Sequence, residues 1–277
     1  LTQRFSDRGA VQPKQPSFGP GELRLADSFV KTFYVFINKR KQNGKEDLKR
    51  FNERMGRPQL KRPDGKLIWL HGASVGESLS MLPLINRLLD LYPEAHVMVT
   101  TGTITSAELM GKRLPERAFH QYIPIDNPVF TTRFIRHWRP DLVLWFESDL
   151  WPAMLSGINR KNIPLILVNG RISNKSFKRW QQFDYISKEL LGCFTFCLGQ
   201  SEEDAYHLRV GIALDLDDDT HAVPVGFITN STDAFYSLVL DQLADLFQES
   251  GLVDLEWDLS DNDLRFATFC FFNISDC

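Results

Sequence analysis

The chain has 277 residues, 43% of them hydrophobic, enough for one or two cored domains, and it contains no uninterrupted apolar run of about 18 residues that would read as a membrane-spanning helix. Its net charge of −3 conceals an imbalance: 31 of the 32 basic and 21 of the 35 acidic residues precede Gly211, leaving the first part at +10 and the remainder at −13. A basic part suits an anionic partner such as a phosphate or a membrane surface, although a solvated charged face has the same composition, and nothing in the pattern points to nucleic acid.

Residues 1–20 are rich in Gly, Pro and Gln and read as a lead-in. From Glu22 to Lys41, apolar Leu23, Leu25, Phe29, Val30, Phe33, Tyr34 and Phe36 run into Lys39, Arg40 and Lys41. That pattern fits an amphipathic helix, either at a membrane interface or packed on the domain. The chain opens on Leu1 rather than Met, which points to a longer parent. From Lys66 to Arg209 apolar strands alternate with helical segments over short connections, the pattern of a doubly wound parallel α/β sheet. Six strands are expected near 66–71, 95–100, 118–123, 141–146, 164–169 and 194–198, with helices near 76–91, 104–113, 128–137, 150–160, 175–190 and 201–209. After Arg209 the rhythm breaks: residues 215–219 are an acid-rich loop, one amphipathic helix fits Ala234–Gln248, and the rest has no α/β period.

Ligands of such sheets bind beyond the carboxyl ends of the strands, where the chain carries its motifs. The first strand runs into His71-Gly-Ala-Ser-Val-Gly-Glu77, placing a carboxylate in a helix's first turn beside exposed N–H groups and the positive end of the dipole. Glu77 there can take a proton, or, because Ser74-Val-Gly-Glu77 is also a capping-box pattern, only cap the helix. Gly72 and Gly76 would let the turn run close. Thr100-Thr-Gly-Thr-Ile-Thr105 after the second strand is a hydroxyl-rich turn suited to an anion, or to ordinary capping by Thr103 or Thr105. Arg171, Lys175, Lys178 and Arg179 with Trp180 form a basic cluster after the fifth strand; a solvated helix face is the other reading. His71 has no Cys or His partner at ligand spacing, so no metal is expected; Cys193 and Cys197 read as core thiols and Trp138, Trp145 and Trp151 as core aromatics. The absence of G-x-G-x-x-G after the first strand argues against a dinucleotide site.

Taken with Pro124-Ile-Asp-Asn-Pro128, Trp138 to Pro152 including Glu147-Ser-Asp-Leu-Trp-Pro152, Asn169-Gly-Arg-Ile-Ser-Asn-Lys175 and Leu198-Gly-Gln-Ser-Glu-Glu-Asp204, these motifs match a family in order and spacing. From about Gly44 to Arg209 the chain resembles the N-terminal half of 3-deoxy-D-manno-octulosonic-acid (Kdo) transferase, the lipid A glycosyltransferase of Gram-negative bacteria. The resemblance implies a GT-B type enzyme of two facing Rossmann-like halves. It would move Kdo from CMP-Kdo to a hydroxyl of a lipid A precursor at the cytoplasmic face of the inner membrane, without a cofactor. It implies Glu77 as base and Glu147 as a second acid. Ser74, Gly76, Thr101, Gly102, Thr103, Asn169, Arg171 and Lys175 would then contact substrate.

On that reading residues 1–43 are lead-in and possible membrane-associating helix, 44–210 the acceptor-binding domain, and 211–277 an acidic, divergent remnant of the donor-binding domain. The family's later Gly-Asn-Leu-Lys motif falls here on Gly226-Phe-Ile-Thr229, so Thr229 stands where a cation is expected. A neutral hydroxyl cannot balance the donor's phosphate as an ammonium can, and the resemblance therefore implies an isolated chain without activity. The alternative is a catalytically silent domain that binds lipid A or a membrane.

Overall fold

The computed structural model describes residues 39–146, 150–182, 184–212 and 223–227. Most of the expected amphipathic segment, Glu147, the helix expected over Ala234–Gln248 and Thr229 lie outside the described residues. The chain divides into two units after Asp47. In the first, residues 39–42 are helical and stop at Gly44, whose φ of 66° allows Lys45 N–H to reach back to the Arg40 carbonyl at 2.9 Å.

The second unit is built on a seven-stranded, wholly parallel sheet. In chain order its elements are α1 (Phe51–Arg54), β1 (Lys66–His71), α2 (Val75–Leu91), β2 (Ala95–Thr101), α3 (Ile104–Arg113), β3 (Ala118–Tyr122), α4 (Pro128–Trp138) and β4 (Leu142–Phe146). These are followed by α5 (Pro152–Asn159), β5 (Leu165–Gly170), α6 (Asn174–Gln182), α7 (Asp184–Leu191), β6 (Phe196–Gly199), α8 (Glu202–Ile212) and β7 (Val225–Phe227). The order across the sheet is β3-β2-β1-β4-β5-β6-β7, so β1 and β4 are neighbours while their following connections depart in opposite directions. That reversal opens a crevice at their carboxyl ends, and Glu77 follows β1 at that edge.

β1, β2, β4, β5 and β6 are largely apolar because both of their faces are covered, whereas β3 reads Ala-Phe-His-Gln-Tyr. Ile68, Leu70, Val97, Val99, Leu142 and Leu144 turn to one face and pack with Met81, Leu84, Ile85 and Leu88 of α2 and Met110 of α3. Their neighbours Leu67, Trp69, Met98, Val143 and Trp145 turn to the other and meet Phe134 and Trp138 of α4, Leu155 and Ile158 of α5, and Leu208 of α8. Trp138 and Trp145 are fully buried, and Cys193 and Cys197 are buried free thiols, as expected. Two features differ from expectation. The segment expected as one helix over 175–190 is two, α6 and α7, and a seventh strand extends the sheet beyond Arg209, with Cys197 paired to Val225 and Gly199 to Phe227.

Candidate functional site

Glu77 sits in the first turn of α2 and is only 8% exposed. Ser74 is the N-cap, its Oγ accepting the Glu77 N–H at 3.2 Å, so half of the capping box forms. The carboxylate does not return to the N-cap residue; its Oε2 accepts the N–H of Ala73, one residue earlier, at 2.5 Å. Glu77 therefore folds back over the turn that leads out of β1. The two glycines of that turn differ. A Cβ on Gly72 would lie 2.1 Å from Met81 Cε and 3.0 Å from Glu77 Cβ, so the bare backbone is what lets the acid lie there. Gly76 has no such constraint, its nearest contact being Ser74 Oγ at 3.9 Å, and it presents uncovered, exposed backbone beside the carboxylate.

Below this turn the polar groups are buried and interlocked. The fully buried Thr100 Oγ1 accepts the Trp69 indole N–H at 2.7 Å and contacts His71 Nδ1 at 2.9 Å. The His71 ring lies 4.2 Å from Trp145 and 5.6 Å from Trp151. Its Nε2 has no hydrogen-bond partner among the described residues. Burial is the main cause that lowers the His71 pKa from 6.5 to about 3, with the Arg54 cation adding to it against a bond to the Thr100 carbonyl. Thr101 also turns inward: fully buried, it meets His120 Nε2 at 2.9 Å. Arg50 Nη1–H donates to His120 Nδ1 at 3.1 Å, so Nε2 carries the ring proton and donates to Thr101. Burial, and then Arg50, lower the His120 pKa to about 3.

The Thr-rich turn is thus only partly a surface feature. Thr100 and Thr101 are engaged within the sheet, whereas Thr103 is exposed and caps α3, accepting the Ser106 N–H at 3.2 Å. Gly102 is half-buried, with only Ile123 Cγ2 at 4.0 Å from where a Cβ would stand.

Three further groups shape this rim without having been singled out from the sequence. Glu53 in α1, 3% exposed, accepts from Arg50, Gln121 Nε2 and the Tyr122 N–H, the last two at 2.8 Å, which ties α1 to β3. Arg54 beside it donates to the Ile123 carbonyl. Charged residues before the first strand carry no pattern that marks them as interior. Asp126, inside the quoted Pro124–Pro128 motif, caps α5 from a distance, accepting the N–H groups of Ala153 and Met154 at 3.2 and 2.8 Å where Trp151 supplies no side-chain cap. Burial pushes its carboxyl up, and those two bonds pull it partly back.

At the far end of the rim, Asn169 is in β5 with φ of 57°, beside an irregularity in the β5–β6 register. Left-handed backbone is uncommon outside glycine, and Asn is among the residues that tolerate it. Arg171, Lys175 and Lys178 are exposed; the side chains of Arg179 and Trp180 lie outside the described residues. The structure thus sets Ser74, Gly76, Glu77, Thr101, Gly102, Thr103, Asn169, Arg171 and Lys175 at or beyond the carboxyl ends of β1, β2 and β5. Glu147, next after β4, lies outside the described residues. Among the described residues no three His, Cys, Asp or Glu side chains gather as a metal site.

The family profile described as 3-Deoxy-D-manno-octulosonic-acid transferase (kdotransferase) matches residues 49–215. The 3-deoxy-D-manno-octulosonic acid transferase of Rickettsia bellii is 38% identical over 172 residues, 62% of this chain and 41% of that protein. A probable mitochondrial one from Arabidopsis thaliana is 37% identical over 147 residues, 53% of this chain and 33% of that protein. That of Haemophilus influenzae is 35% identical over 118 residues, 43% and 28%. The chain spans 41% or less of the length of these curated relatives. Among solved structures, the UDP-GlcNAc 2-epimerase of Neisseria meningitidis superposes with a TM-score of 0.42 at 14% identity, over 68% of this chain and 55% of that one.

Proposed function

The chain belongs to the 3-deoxy-D-manno-octulosonic-acid transferase family, and from that premise we propose that it is the acceptor-side half of a glycosyltransferase moving Kdo from CMP-Kdo to a lipid A precursor in lipopolysaccharide synthesis. The observation that carries this reading is Glu77: a buried carboxylate held over Gly72 at the carboxyl edge of β1, beside the exposed backbone of Gly76. In the reaction Glu77 takes the proton of an acceptor hydroxyl as its oxygen bonds the anomeric carbon of Kdo. The bond from that carbon to the phosphate oxygen breaks, and CMP leaves with the electron pair. Glu147 acts as the second acid. Asn169, Arg171 and Lys175 meet acceptor phosphate, with Ser74, Gly102 and Thr103 lining the floor between, and the buried Thr101, held by His120, acts only from beneath that floor. The enzyme works at the cytoplasmic face of the inner membrane as a peripheral or anchored protein. No helix among the described residues is long and apolar enough to cross a membrane.

Thr229, where the family has a cation, favours a second reading, a catalytically silent domain that binds lipid A or a membrane surface. Transfer of radiolabelled Kdo from CMP-Kdo to a lipid A precursor separates the two. The 277-residue chain is expected to bind precursor and transfer nothing, with Thr229→Lys giving no rescue. A chimera with a relative's donor half is expected to transfer, provided Glu77 is present. Because β7 belongs to the first sheet, the junction belongs after Phe227 rather than Arg209. Turnover by the unmodified chain, abolished by Glu77→Gln, would overturn the claim of inactivity. A chimera that binds both substrates yet ignores Glu77→Gln would overturn the role of the base.

A further inference from the structure

His71, the last residue of β1, is 1% exposed and lies in register between Thr100 of β2 and Trp145 of β4. Its Nδ1 is 3.2 Å from the Thr100 carbonyl and 2.9 Å from Thr100 Oγ1. A carbonyl can only accept, so Nδ1 carries the ring proton and Nε2 presents a bare lone pair. The two nitrogens of an imidazole face nearly opposite ways. With Nδ1 turned to β2, Nε2 is aimed toward the β4 side, where the crevice between β1 and β4 opens. It has no hydrogen-bond partner among the described residues. His96 Nδ1, Trp138 Nε1 and Gln121 Oε1 are likewise without one among the described residues, but they lie away from the crevice, near the start of β2, at the end of α4 and in the edge strand β3. The next residue, Gly72, turns toward Met81 and Glu77, so His71 and Glu77 flank the end of β1 from its two faces.

A buried acceptor left without a donor carries the cost of its desolvation, and Phe would fill the same space without that cost. The surroundings select the donor. A lone pair repels phosphate and carboxylate oxygens, and the Arg54 cation, which opposes a proton on the ring, opposes an ammonium there as well. A neutral hydroxyl remains. The indoles of Trp145 and Trp151, 4.2 and 5.6 Å from the imidazole, supply the apolar surround in which one placed polar atom orients a ligand. Trp151 is half-buried at the carboxyl edge of the sheet, and its side chain makes no capping bond to α5. We infer that His71 Nε2 accepts a hydrogen bond from a hydroxyl of the acceptor's sugar, which enters as the Trp151 ring moves aside, and that His71 thereby selects the hydroxyl pattern of that sugar. This role rests on the acceptor reading above and adds to it a contact with the uncharged part of the ligand, apart from its phosphates.

Two measurements test it, both with a detergent-dispersed, bisphosphorylated glucosamine disaccharide lipid. The first is nitrogen NMR of the 277-residue chain labelled with ¹⁵N-histidine, the His71 signals being those lost in His71→Phe. In the free chain Nε2 is expected to be unprotonated, and at saturating lipid its resonance should move toward the hydrogen-bonded position while both His120 resonances stay in place. A protonated Nε2 in the free chain, or an Nε2 signal that does not move when lipid binds, would overturn the role. The second is a binding cycle with analogues of the lipid in which one sugar hydroxyl at a time is replaced by hydrogen. One analogue is expected to bind the unmodified chain about three- to tenfold more weakly than the parent lipid, the effect of one neutral hydrogen bond, and to lose less than about twofold on His71→Phe, which keeps a ring beside Trp145 and Trp151. Equal losses on both proteins for every analogue would mark His71 as a packing residue and overturn the role. Failure of the unmodified chain to bind the parent lipid overturns the acceptor reading and this role together, whereas binding with a stationary Nε2 signal overturns this role alone.

Discussion

The two ends of the binding rim place charge in opposite ways. After β1 the functional side chain itself is buried and held: Glu77 lies on Gly72 with its oxygen on the Ala73 N–H, above an interlocked layer of Thr100, His71, Thr101 and His120. After β5 it is the backbone that is held, at Gly170 and Ile172, while Arg171, Lys175 and Lys178 are exposed residues. A group that must give or take a proton gains from a low-dielectric, fixed site, whereas a group that gathers a large anion gains from reach. The first end should therefore respond to pH and to sub-ångström packing, and the second to salt.

The sharpest test of the first end is removal of its proton acceptor. In a chimera that supplies the donor half, Glu77→Gln is expected to cut Kdo transfer by ~10²–10⁴-fold, with acceptor affinity changed less than twofold, because the amide keeps its shape and its bond to Ala73. A loss of affinity equal to the loss of rate would show that Glu77 binds rather than reacts.

The buried imidazoles set the next largest effect. His71 and His120 have folded pKa values lowered from 6.5 to about 3. Below pH 6.5 the unfolded chain takes up protons that the folded rings refuse. Stability is therefore complete above the unfolded pKa and falls as pH drops from about 6.5 toward 3, by up to about 1.4 kcal/mol per pH unit for each ring. Urea unfolding between pH 7.5 and 5 checks this. His71→Phe removes one ring, with its Nε2 that has no partner among the described residues, and should roughly halve the slope; an unchanged slope would mean that His71 does not remain neutral in the folded chain.

Most of this architecture is written in local pattern. Six strands are legible because short, largely apolar segments alternate with helical ones between turn residues, and Ser74-x-x-Glu77 announces a helix start whichever role Glu77 has. What escapes the sequence depends on partners distant along the chain. Val225-Gly-Phe227 is too short to read as a strand, and its pairing with Cys197 to Gly199 is what makes it one. Thr100 and Thr101 look like part of one hydroxyl surface until the β1–β2 and β2–β3 pairings place them beside His71 and near His120. Glu53 and Arg54 become interior only because β3 lies against α1. Asp204 is visible as the last residue of the Leu198–Asp204 motif, whose Ser201 accepts its N–H at 3.1 Å, but not as the anchor of a loop 32 residues away.

The paired glycines of the β1 turn sharpen the claim about packing. Gly72→Ala drives a methyl into Met81 and Glu77 and is expected to cost about 1–3 kcal/mol and to displace the carboxylate. Gly76→Ala meets only Ser74 Oγ at 3.9 Å and should be neutral or stabilising by up to about 1 kcal/mol in the first turn of α2. If bare backbone at Gly76 receives substrate, the same variant weakens acceptor binding several-fold despite its stability. Thermal unfolding with acceptor titration separates these outcomes, and wild-type affinity in Gly76→Ala would remove Gly76 from the site.

The smallest effects belong to the exposed end. Lys175 and Lys178 are solvated side chains on α6, where a single ion pair is worth about 0–1 kcal/mol and is screened over about 10 Å at 0.1 M salt. Lys175→Gln and Lys178→Gln should each weaken binding of a bisphosphorylated acceptor by less than about fivefold at low salt, and by less as salt rises. Arg171→Gln should do more, because its backbone is anchored on both sides and less freedom is lost on binding. Acceptor titrations at several salt concentrations, run alongside the same titrations for Glu77→Gln, test the contrast. Salt sensitivity should fall with each lysine removed and stay unchanged in Glu77→Gln. Lysine variants with full affinity and undiminished salt dependence would return the α6 face to plain solvation and move the anion site toward the turn after β2.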